Sequence, residues 1–366
     1  MPLHMVSNIY WKDFFKTLRP AFSMPSKDQI SNKYLNEIYE EMKSAVENKI
    51  KKAYSVGVQC DSWTNVRGES ILNFVVTTPE PVYYRSIATG KASQTVTKLA
   101  SEISSVIDSI GTSKVAAVCT DNASSMKAAW NLVDAMYEEK IQFYGCVAHI
   151  LNNLIKEIII LPTFQTHNNN AVSVVKEIKK SNILLATLTS IQKNSTDNEK
   201  TTLKVPGQTR WGSYVLTYES LLKNKQNLKS LAIDIKVEKR LSLESKNTLL
   251  SDEFWVTLNR ILTLLKPIMK WITILEGDGG TINLAYQAFY DIEKLFKKEL
   301  KNSSVSILTS EETKSVFEIL EKKRHSALKP IHYAADILSP TQKGKFLTEE
   351  EEASGTSLIT DLAKKF

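Results

Sequence analysis

Two aspartates each follow a run of β-branched and apolar residues that is typical of a β-strand. Asp61 comes at the end of the predicted strand 54–60, and Asp121 comes at the end of the predicted strand 114–120. A carboxylate offers the hard oxygen ligands that Mg²⁺ and Mn²⁺ prefer. Each aspartate also has a simpler explanation, because aspartate is common in turns and favoured as a helix cap. Taken alone, either local sequence favours the simpler explanation.

The elements around these aspartates predict that they lie close together. The sequence patterns predict helices at 27–52, 96–110, 122–138 and 148–161. They predict strands at 54–60, 70–78, 82–89, 114–120 and 141–147. Because crossovers between parallel strands are right-handed, strand 114–120 is predicted to lie beside strand 54–60 in a mixed α/β sheet with flanking helices. Adjacent strands are about 4.8 Å apart, so the two carboxylates could share one divalent cation or form a pair. Such a pair can assist phosphoryl transfer.

Two further pairs of residues could carry chemistry. Cys146 and His149 flank the predicted start of helix 148–161 and resemble half of a zinc site, but the sequence offers no matching second half. A small buried cysteine with a histidine at the helix start is the stronger interpretation, and a histidine facing a phosphate there is also physically sound. Arg210 and Trp211 precede another amphipathic helix, where arginine can bind phosphate and tryptophan can stack on an unpaired base.

The second half of the chain shows helical spacing of its apolar residues and no clear strand. Stretches 167–170 and 192–200 are polar and predict loops, and Pro162 is predicted to stop the preceding helix. The segment 339–356 contains a run of four glutamates, and its polar parts are predicted to be mobile. The helices of this half are predicted at 171–191, 212–232, 253–275, 281–300 and 310–323.

The composition excludes several classes of protein. The 366 residues include 42% hydrophobic and 24% charged residues, which is ordinary for a globular protein with a large core. We find neither an apolar run long enough to predict a membrane span nor a secretory signal. Three cysteines without a signal indicate a reducing compartment, the cytosol or the nucleus. The net charge of +7 is compatible with a polyanionic partner.

Four short motifs, taken in order, resemble the hAT superfamily of transposases. They are CDSW around Asp61, CTDNASSMKAAW around Asp121, GCVAHILNNLIK around His149 and TRWGSY around Trp211. The stretch up to about residue 161 is similar to a domain of unknown function found in hAT-like proteins. The segment 262–295 resembles the helical insertion of the same family. No single motif is decisive, but the ordered set is specific.

The resemblance implies an RNase H-like fold followed by an all-helical insertion domain. It divides the chain into an N-terminal helical segment at 1–52, an RNase H-like core at 53–165, and a helical insertion domain with a mobile tail at 166–366. By position, Asp61 and Asp121 match the family's catalytic metal ligands for Mg²⁺ or Mn²⁺. The DNA-contacting residues of the family are matched by Cys146, His149, Arg210 and Trp211. The implied partner is DNA, and the implied location is the nucleus.

Two features of the family have no counterpart in this sequence. One is a third metal-binding acid, a glutamate that lies in the C-terminal dimerisation region, and the other is an N-terminal BED-type zinc finger. With two of three acids, we expect a truncated protein with impaired DNA cleavage and strand transfer. A homo-oligomer is expected if the missing dimerisation region exists. The alternative is a non-catalytic nuclear module, domesticated from a transposon, that binds DNA or protein.

Overall fold

The computed structural model describes residues 2–78, 80–90, 95–137, 141–195, 201–207, 212–237, 239–277, 279–301 and 308–366. The chain divides into two compact units. The first unit consists of Met1–Val118, Ala128–Ile141 and Phe366. The second unit consists of Cys119–Lys127 and Gln142–Lys365.

In the part of the chain that the structure describes, five strands form one sheet, and the predicted mixed α/β class is confirmed. The strands are β1 (Val56–Thr64), β2 (Ser70–Thr77), β3 (Pro81–Gly90), β4 (Val115–Thr120) and β5 (Gln142–Gly145). Their order in the sheet is β3-β2-β1-β4-β5, so β4 is the neighbour of β1, as the crossover argument predicts. Strand β2 is antiparallel to both β1 and β3.

Fifteen α-helices accompany these strands in the described residues. They are α1 (Ile9–Leu18), α2 (Leu35–Lys52), α3 (Val96–Ile110), α4 (Ser124–Asp134), α5 (Val147–Ile159), α6 (Pro162–Lys180), α7 (Asn182–Asn194), α8 (Ser213–Lys223), α9 (Lys225–Ile233), α10 (Leu243–Leu250), α11 (Asp252–Leu275), α12 (Ala285–Phe296), α13 (Ser310–Ala327), α14 (Pro330–Leu338) and α15 (Glu349–Lys365). No single described helix is both long and apolar enough to cross a membrane. The bent pair α5 and α6 meets that test only when its two members are taken together.

One face of the sheet supplies the core of the first unit. Alternate residues of β1 and β2 are buried, among them Val58 at 1% exposure and Phe74 at 0%. Helix α3 adds a buried stripe at helical spacing that includes Ile103 and Ile107. The Tyr137 hydroxyl donates hydrogen bonds to the Asp108 carboxylate and to a backbone carbonyl of α3, which fixes the helix.

The second unit is mostly helical, and its core surrounds the long helix α11. Trp255, near the start of α11, is buried, and its indole N–H donates to the Leu249 carbonyl at 2.8 Å. Tyr218 of α8 is also buried and donates to Asn168 Oδ1 at 2.9 Å. Burial raises the pKa of the Tyr218 hydroxyl far above its usual range. The hydroxyl therefore stays protonated and can donate this hydrogen bond.

The start of α6 is stabilised by a distant carboxylate. Pro162 was predicted to stop the preceding helix, and α5 does end before it, at Ile159. Pro162 is also the first residue of α6, where its fixed φ and missing N–H suit a helix start. Leu161 precedes it and has no polar side chain for capping. Buried Glu312 supplies the missing acceptors, because it accepts from the Thr163 N–H at 2.7 Å and from the Thr163 hydroxyl at 2.9 Å. Glu312 also caps its own helix, α13, by accepting from the Thr309 N–H.

Two long predicted helices are each broken in two. The predicted helix 171–191 is interrupted at Ser181, whose hydroxyl caps α7 by accepting from the Leu184 N–H. The predicted helix 212–232 is interrupted at Asn224, which is fully buried and whose side chain donates to the carbonyls of Thr201 and Ser220. Polar side chains that bond the backbone compete with helix continuation, which explains both breaks.

One prediction about polar segments is wrong, and a second polar segment has a defined place in the fold. Residues 167–170 are helical within α6, because tertiary contacts such as the bond from Tyr218 to Asn168 satisfy their polar groups. The four glutamates at 349–352 form the first turn of α15, where the helix dipole favours negative charge. Glu351 is held there by Arg324 at 2.7 Å and by the Tyr286 hydroxyl at 3.0 Å.

Candidate functional site

Asp61 lies within β1 and points to the open face of the sheet. The strand extends to Thr64, so the predicted end at residue 60 is too early. Cys60 is buried, whereas Asp61 is exposed, as the alternation of side chains along a strand requires. One carboxylate oxygen, Oδ1, accepts from the Ser62 N–H at 2.9 Å. The remaining acceptor positions of Asp61 are therefore accessible to a ligand.

A row of polar side chains crosses three strands at the level of Asp61. In register, Asp61 pairs with Asn73 of β2, and Asn73 pairs with Ser86 of β3. The Ser86 hydroxyl donates to Asn73 Oδ1 at 2.9 Å, and the Tyr83 hydroxyl donates to Ser86 at 3.2 Å. This row was not predicted from the sequence. Its signal was present, because the apolar alternation of 70–77 leaves Asn73 on the face opposite Phe74.

Two exposed aromatic side chains share this face with Asp61. Trp63 follows Asp61 by two residues and is 44% exposed, and Tyr83 is 58% exposed. Exposed aromatic rings on a sheet can act as platforms on which bases or flat side chains stack. We call the surface formed by Asp61, Trp63, Asn73, Tyr83 and Ser86 the open sheet face.

Asp121 follows β4 and organises the turn into α4. Its Oδ1 accepts from the Ala123 N–H at 2.8 Å, which is the bond of an Asx turn. The helix begins at Ser124 rather than at the predicted residue 122. Asp121 thus accepts a backbone N–H at the start of the helix, as a cap does, while its second carboxylate oxygen remains available. This structural role is compatible with a role as a metal ligand.

The residue after Asp121 locks this turn against the end of β5. Asn122 donates from Nδ2 to the Cys146 carbonyl at 3.0 Å, and the Cys146 N–H donates to the Thr120 carbonyl at 2.7 Å. The Asn122 side chain fits because residue 145 is glycine, since a Cβ there would lie 1.8 Å from Asn122 Oδ1. Asn122 and Gly145 together hold the turn after β4 in place, and this pairing was not predicted from the sequence.

Cys146 and His149 lie at the start of α5, as predicted. Cys146 is the N-cap residue, its side chain makes no capping bond, and His149 is the third residue of the helix. Both side chains are half-buried. Within the described ranges, no group of three or more His, Cys, Asp or Glu side chains is placed to hold a metal ion. The described residues thus supply no complete ligand set for zinc around the Cys-x-x-His pair.

Beside Cys146, the second unit contains a half-buried tyrosine and a buried histidine. Burial raises the pKa of the Tyr144 hydroxyl well above its usual range, and the nearby thiols of Cys119 and Cys146 raise it further. The Tyr144 ring contacts the His332 ring edge to face, with 5.2 Å between centroids. His332 is 1% exposed, and burial lowers its pKa to about 4. Both side chains are therefore uncharged at neutral pH.

Arg210 and Trp211 lie outside the described residues. The next residue, Gly212, is described and has a left-handed φ of 61° at the start of α8. A Cβ at this position would also meet the sulfur of Met269 at 1.9 Å. Glycine is therefore required immediately after the Arg-Trp pair.

Comparison with known protein families finds a match over part of the chain. Residues 25–182 match the family described as a domain of unknown function, DUF659. This family is associated with hAT-type transposases, the superfamily that the motifs resemble. The match includes Asp61, Asp121, Cys146 and His149. No curated protein matches the chain.

Proposed function

We propose that this chain is a hAT transposase-derived protein that binds DNA in the nucleus and uses Asp61 and Asp121 as ligands for Mg²⁺ or Mn²⁺. The observation that carries the proposal is the match of residues 25–182 to a domain associated with hAT-type transposases. The ordered motifs around the two aspartates support it. The net charge of +7 favours a polyanionic partner.

The carboxylate oxygens of the two aspartates are suitable ligands for a hard divalent cation. Each carboxylate accepts one local N–H through Oδ1, from Ser62 in one case and from Ala123 in the other. These bonds orient the carboxylates without using all their acceptor positions. When bound, a divalent ion at such ligands supplies Lewis-acid assistance to phosphoryl transfer. The role of Asp61 and Asp121 is to hold the ion and fix its position.

The proposed contacts to DNA lie at three places in the chain. The first turn of α5, which contains His149, presents backbone N–H groups to which a phosphate can bind. Arg210 and Trp211 are proposed to hold a phosphate and an unpaired base, by resemblance to the family. The polar and aromatic side chains of the open sheet face offer a stacking surface.

DNA binding with and without a divalent ion tests this proposal. Fluorescence anisotropy of a labelled duplex should show binding that weakens as salt is raised, because phosphate contacts release counterions. Mg²⁺ should tighten binding by wild type but not by Asp61→Asn/Asp121→Asn, and calorimetric titration with Mn²⁺ should lose its signal in the same variant. Asp28→Asn removes an exposed carboxylate elsewhere and should behave as wild type. Failure of wild type to bind DNA at low salt would exclude the proposal.

The alternative is a non-catalytic module that binds DNA or protein. The exposed rings of Trp63 and Tyr83 on the open sheet face favour it, because such rings bind partners without a metal. Under this alternative, the Asp61→Asn/Asp121→Asn variant binds DNA as wild type does, with or without Mg²⁺. Trp63→Ala/Tyr83→Ala then weakens binding instead. Strand cleavage by wild type that requires both aspartates would exclude it.

A further inference from the structure

The residues on either side of Asp121 are bonded to one residue at the end of the neighbouring strand. Strand β5 lies next to β4 in the sheet, and Cys146 is the first residue after β5. The Cys146 N–H donates to the carbonyl of Thr120, which precedes Asp121, at 2.7 Å. The Cys146 carbonyl accepts from the side chain of Asn122, which follows Asp121, at 3.0 Å. Both polar groups of the Cys146 backbone therefore serve to hold Asp121 in place.

The Asn122 side chain takes the place of a backbone N–H. Inside a sheet, the N–H and C=O groups of one residue bond to backbone groups of the adjacent strand. Strand β4 ends at Thr120, and the chain then turns toward α4. At this turn the donor to the Cys146 carbonyl is the side-chain amide of Asn122. The hydrogen bonding between the two strands thus extends past the end of β4, and the residue enclosed by it is Asp121.

Two local hydrogen bonds complete the fixation of Asp121. The Thr120 hydroxyl donates to the Asp121 carbonyl at 2.7 Å, and Asp121 Oδ1 accepts from the Ala123 N–H at 2.8 Å. Thr120 is only 1% exposed, so this end of the turn is anchored in the core. The backbone and one carboxylate oxygen of Asp121 are therefore held by the protein. The direction of the second carboxylate oxygen follows from these bonds.

The position of the Asn122 amide depends on Gly145. Gly145 is buried, and a Cβ at this residue would lie 1.8 Å from Asn122 Oδ1 and 2.5 Å from its Cγ. The amide therefore occupies the space that any side chain at residue 145 would need. Because the amide is packed on Gly145 and bonded to Cys146, its contacts are with the protein. Asn122 thus acts on a ligand of Asp121 indirectly, through the position of Asp121.

A ligand that is held in place before an ion arrives binds the ion more tightly. Ordering a flexible carboxylate during binding costs free energy, and a carboxylate that is already ordered avoids this cost. Groups that orient metal ligands from behind typically change metal affinity about 10–100-fold when they are lost. Asn122 holds the backbone of the ligand residue, so we expect an effect at the lower end of this range.

We propose that Asn122 is a positioning residue for a divalent ion at Asp121, and that Gly145 is the partner that allows Asn122 to take this position. This inference rests on the proposed role of Asp121 as a metal ligand. It adds that a residue outside the ligand set determines the affinity of the site. All the residues of this contact belong to the second unit.

Calorimetric titration of the full chain with Mn²⁺ tests the proposal. Asn122→Ala removes the bond to Cys146 and should raise the Mn²⁺ dissociation constant about 10-fold. Gly145→Ala should also raise it, because the new Cβ displaces the Asn122 amide. The double variant should bind Mn²⁺ no more weakly than Asn122→Ala, since the amide that the Cβ would overlap is absent. Two independent structural defects would instead weaken binding in proportion to both changes.

A matched control separates positioning from a general loss of stability. Glu312→Ala removes a buried hydrogen-bond acceptor elsewhere in the second unit and should bind Mn²⁺ as wild type does. Circular dichroism checks that each variant is folded. A weakening by Glu312→Ala equal to that by Asn122→Ala would overturn the inference.

The variant Asp121→Asn separates this inference from the proposed function. If Asp121→Asn abolishes Mn²⁺ binding and Asn122→Ala leaves the dissociation constant unchanged, the inference fails and the proposed metal-ligand role stands. If wild type binds no Mn²⁺, or if Asp121→Asn binds it as wild type does, the metal-ligand role fails and the inference fails with it.

Discussion

Acidification should destabilise the second unit through one buried histidine. His332 is 1% exposed, and its Nδ1 accepts from the Lys329 N–H at 3.1 Å. Its Nε2 is buried and has no hydrogen-bond partner among the described residues. A second proton would therefore place an uncompensated charge in the core. Burial is the main reason that the pKa falls from 6.5 to about 4, and the nearby Lys329 ammonium lowers it further.

The size and the pH range of the effect follow from this pKa. Above pH 6.5 the imidazole is neutral in both the folded and the unfolded chain, so it adds no pH dependence. As the pH falls below 6.5, only the unfolded chain binds the proton, and the free energy of unfolding falls until the folded pKa is reached. The difference between 6.5 and about 4 amounts to about 3 kcal/mol. About 2 kcal/mol of this is lost by pH 5.

Urea unfolding at pH 7 and pH 5 measures this loss, and His332→Gln isolates it. Glutamine at the third helical position can accept from the same N–H, as in a capping box, but it does not titrate. Wild type should therefore lose about 2 kcal/mol more than the variant between the two pH values. In NMR spectra, the His332 imidazole should not titrate between pH 7 and pH 5. An equal loss in wild type and variant would refute the reasoning.

Two further predictions concern the loop after β4 and the start of α6. Gly145→Ala should destabilise the protein by about 1–3 kcal/mol in urea unfolding, because its Cβ would overlap Asn122, and the cost should shrink in an Asn122→Ala background. Equal costs in both backgrounds would contradict that contact. Glu312→Ala should cost about 1–3 kcal/mol, because it leaves the Thr163 N–H without its acceptor. Although burial raises the pKa of Glu312, hydrogen bonds from Thr163 and Thr309 lower it overall, so wild type should lose this contribution in acid and Glu312→Ala should not.

The sheet could be predicted from the sequence because its signals are local. The β-branched and apolar residues at 54–60 predicted a strand, and the burial of Val56, Val58 and Cys60 shows that one face of it packs in the core. The crossover rule then placed β4 beside β1. In the turn between β1 and β2, Gly68 takes a left-handed φ of 77°, which glycine adopts without strain. The periodicity of a strand or helix can be recognised from neighbouring residues, and the placement of β4 follows from one topological rule.

Contacts between residues far apart in the chain could not be predicted from the sequence. Nothing near Pro162 shows that residue 312 will cap the helix it begins, and nothing near Glu351 shows that Arg324 will bind it. The row of Asp61, Asn73 and Ser86 depends on strand register, which single-strand patterns do not fix. The functional roles of the predicted site residues are likewise not fixed by the sequence patterns. The experiments proposed above test them.

The bond between Thr163 and Glu312 also has a consequence for synthesis. The two residues are separated by 149 positions in the chain. At about 5–20 residues per second, a ribosome needs roughly 7–30 s to make the residues between them. During that time the first turn of α6 has emerged but lacks its acceptor. The cap on the first turn of α6 therefore forms only after a carboxylate made much later than the helix itself has left the ribosome.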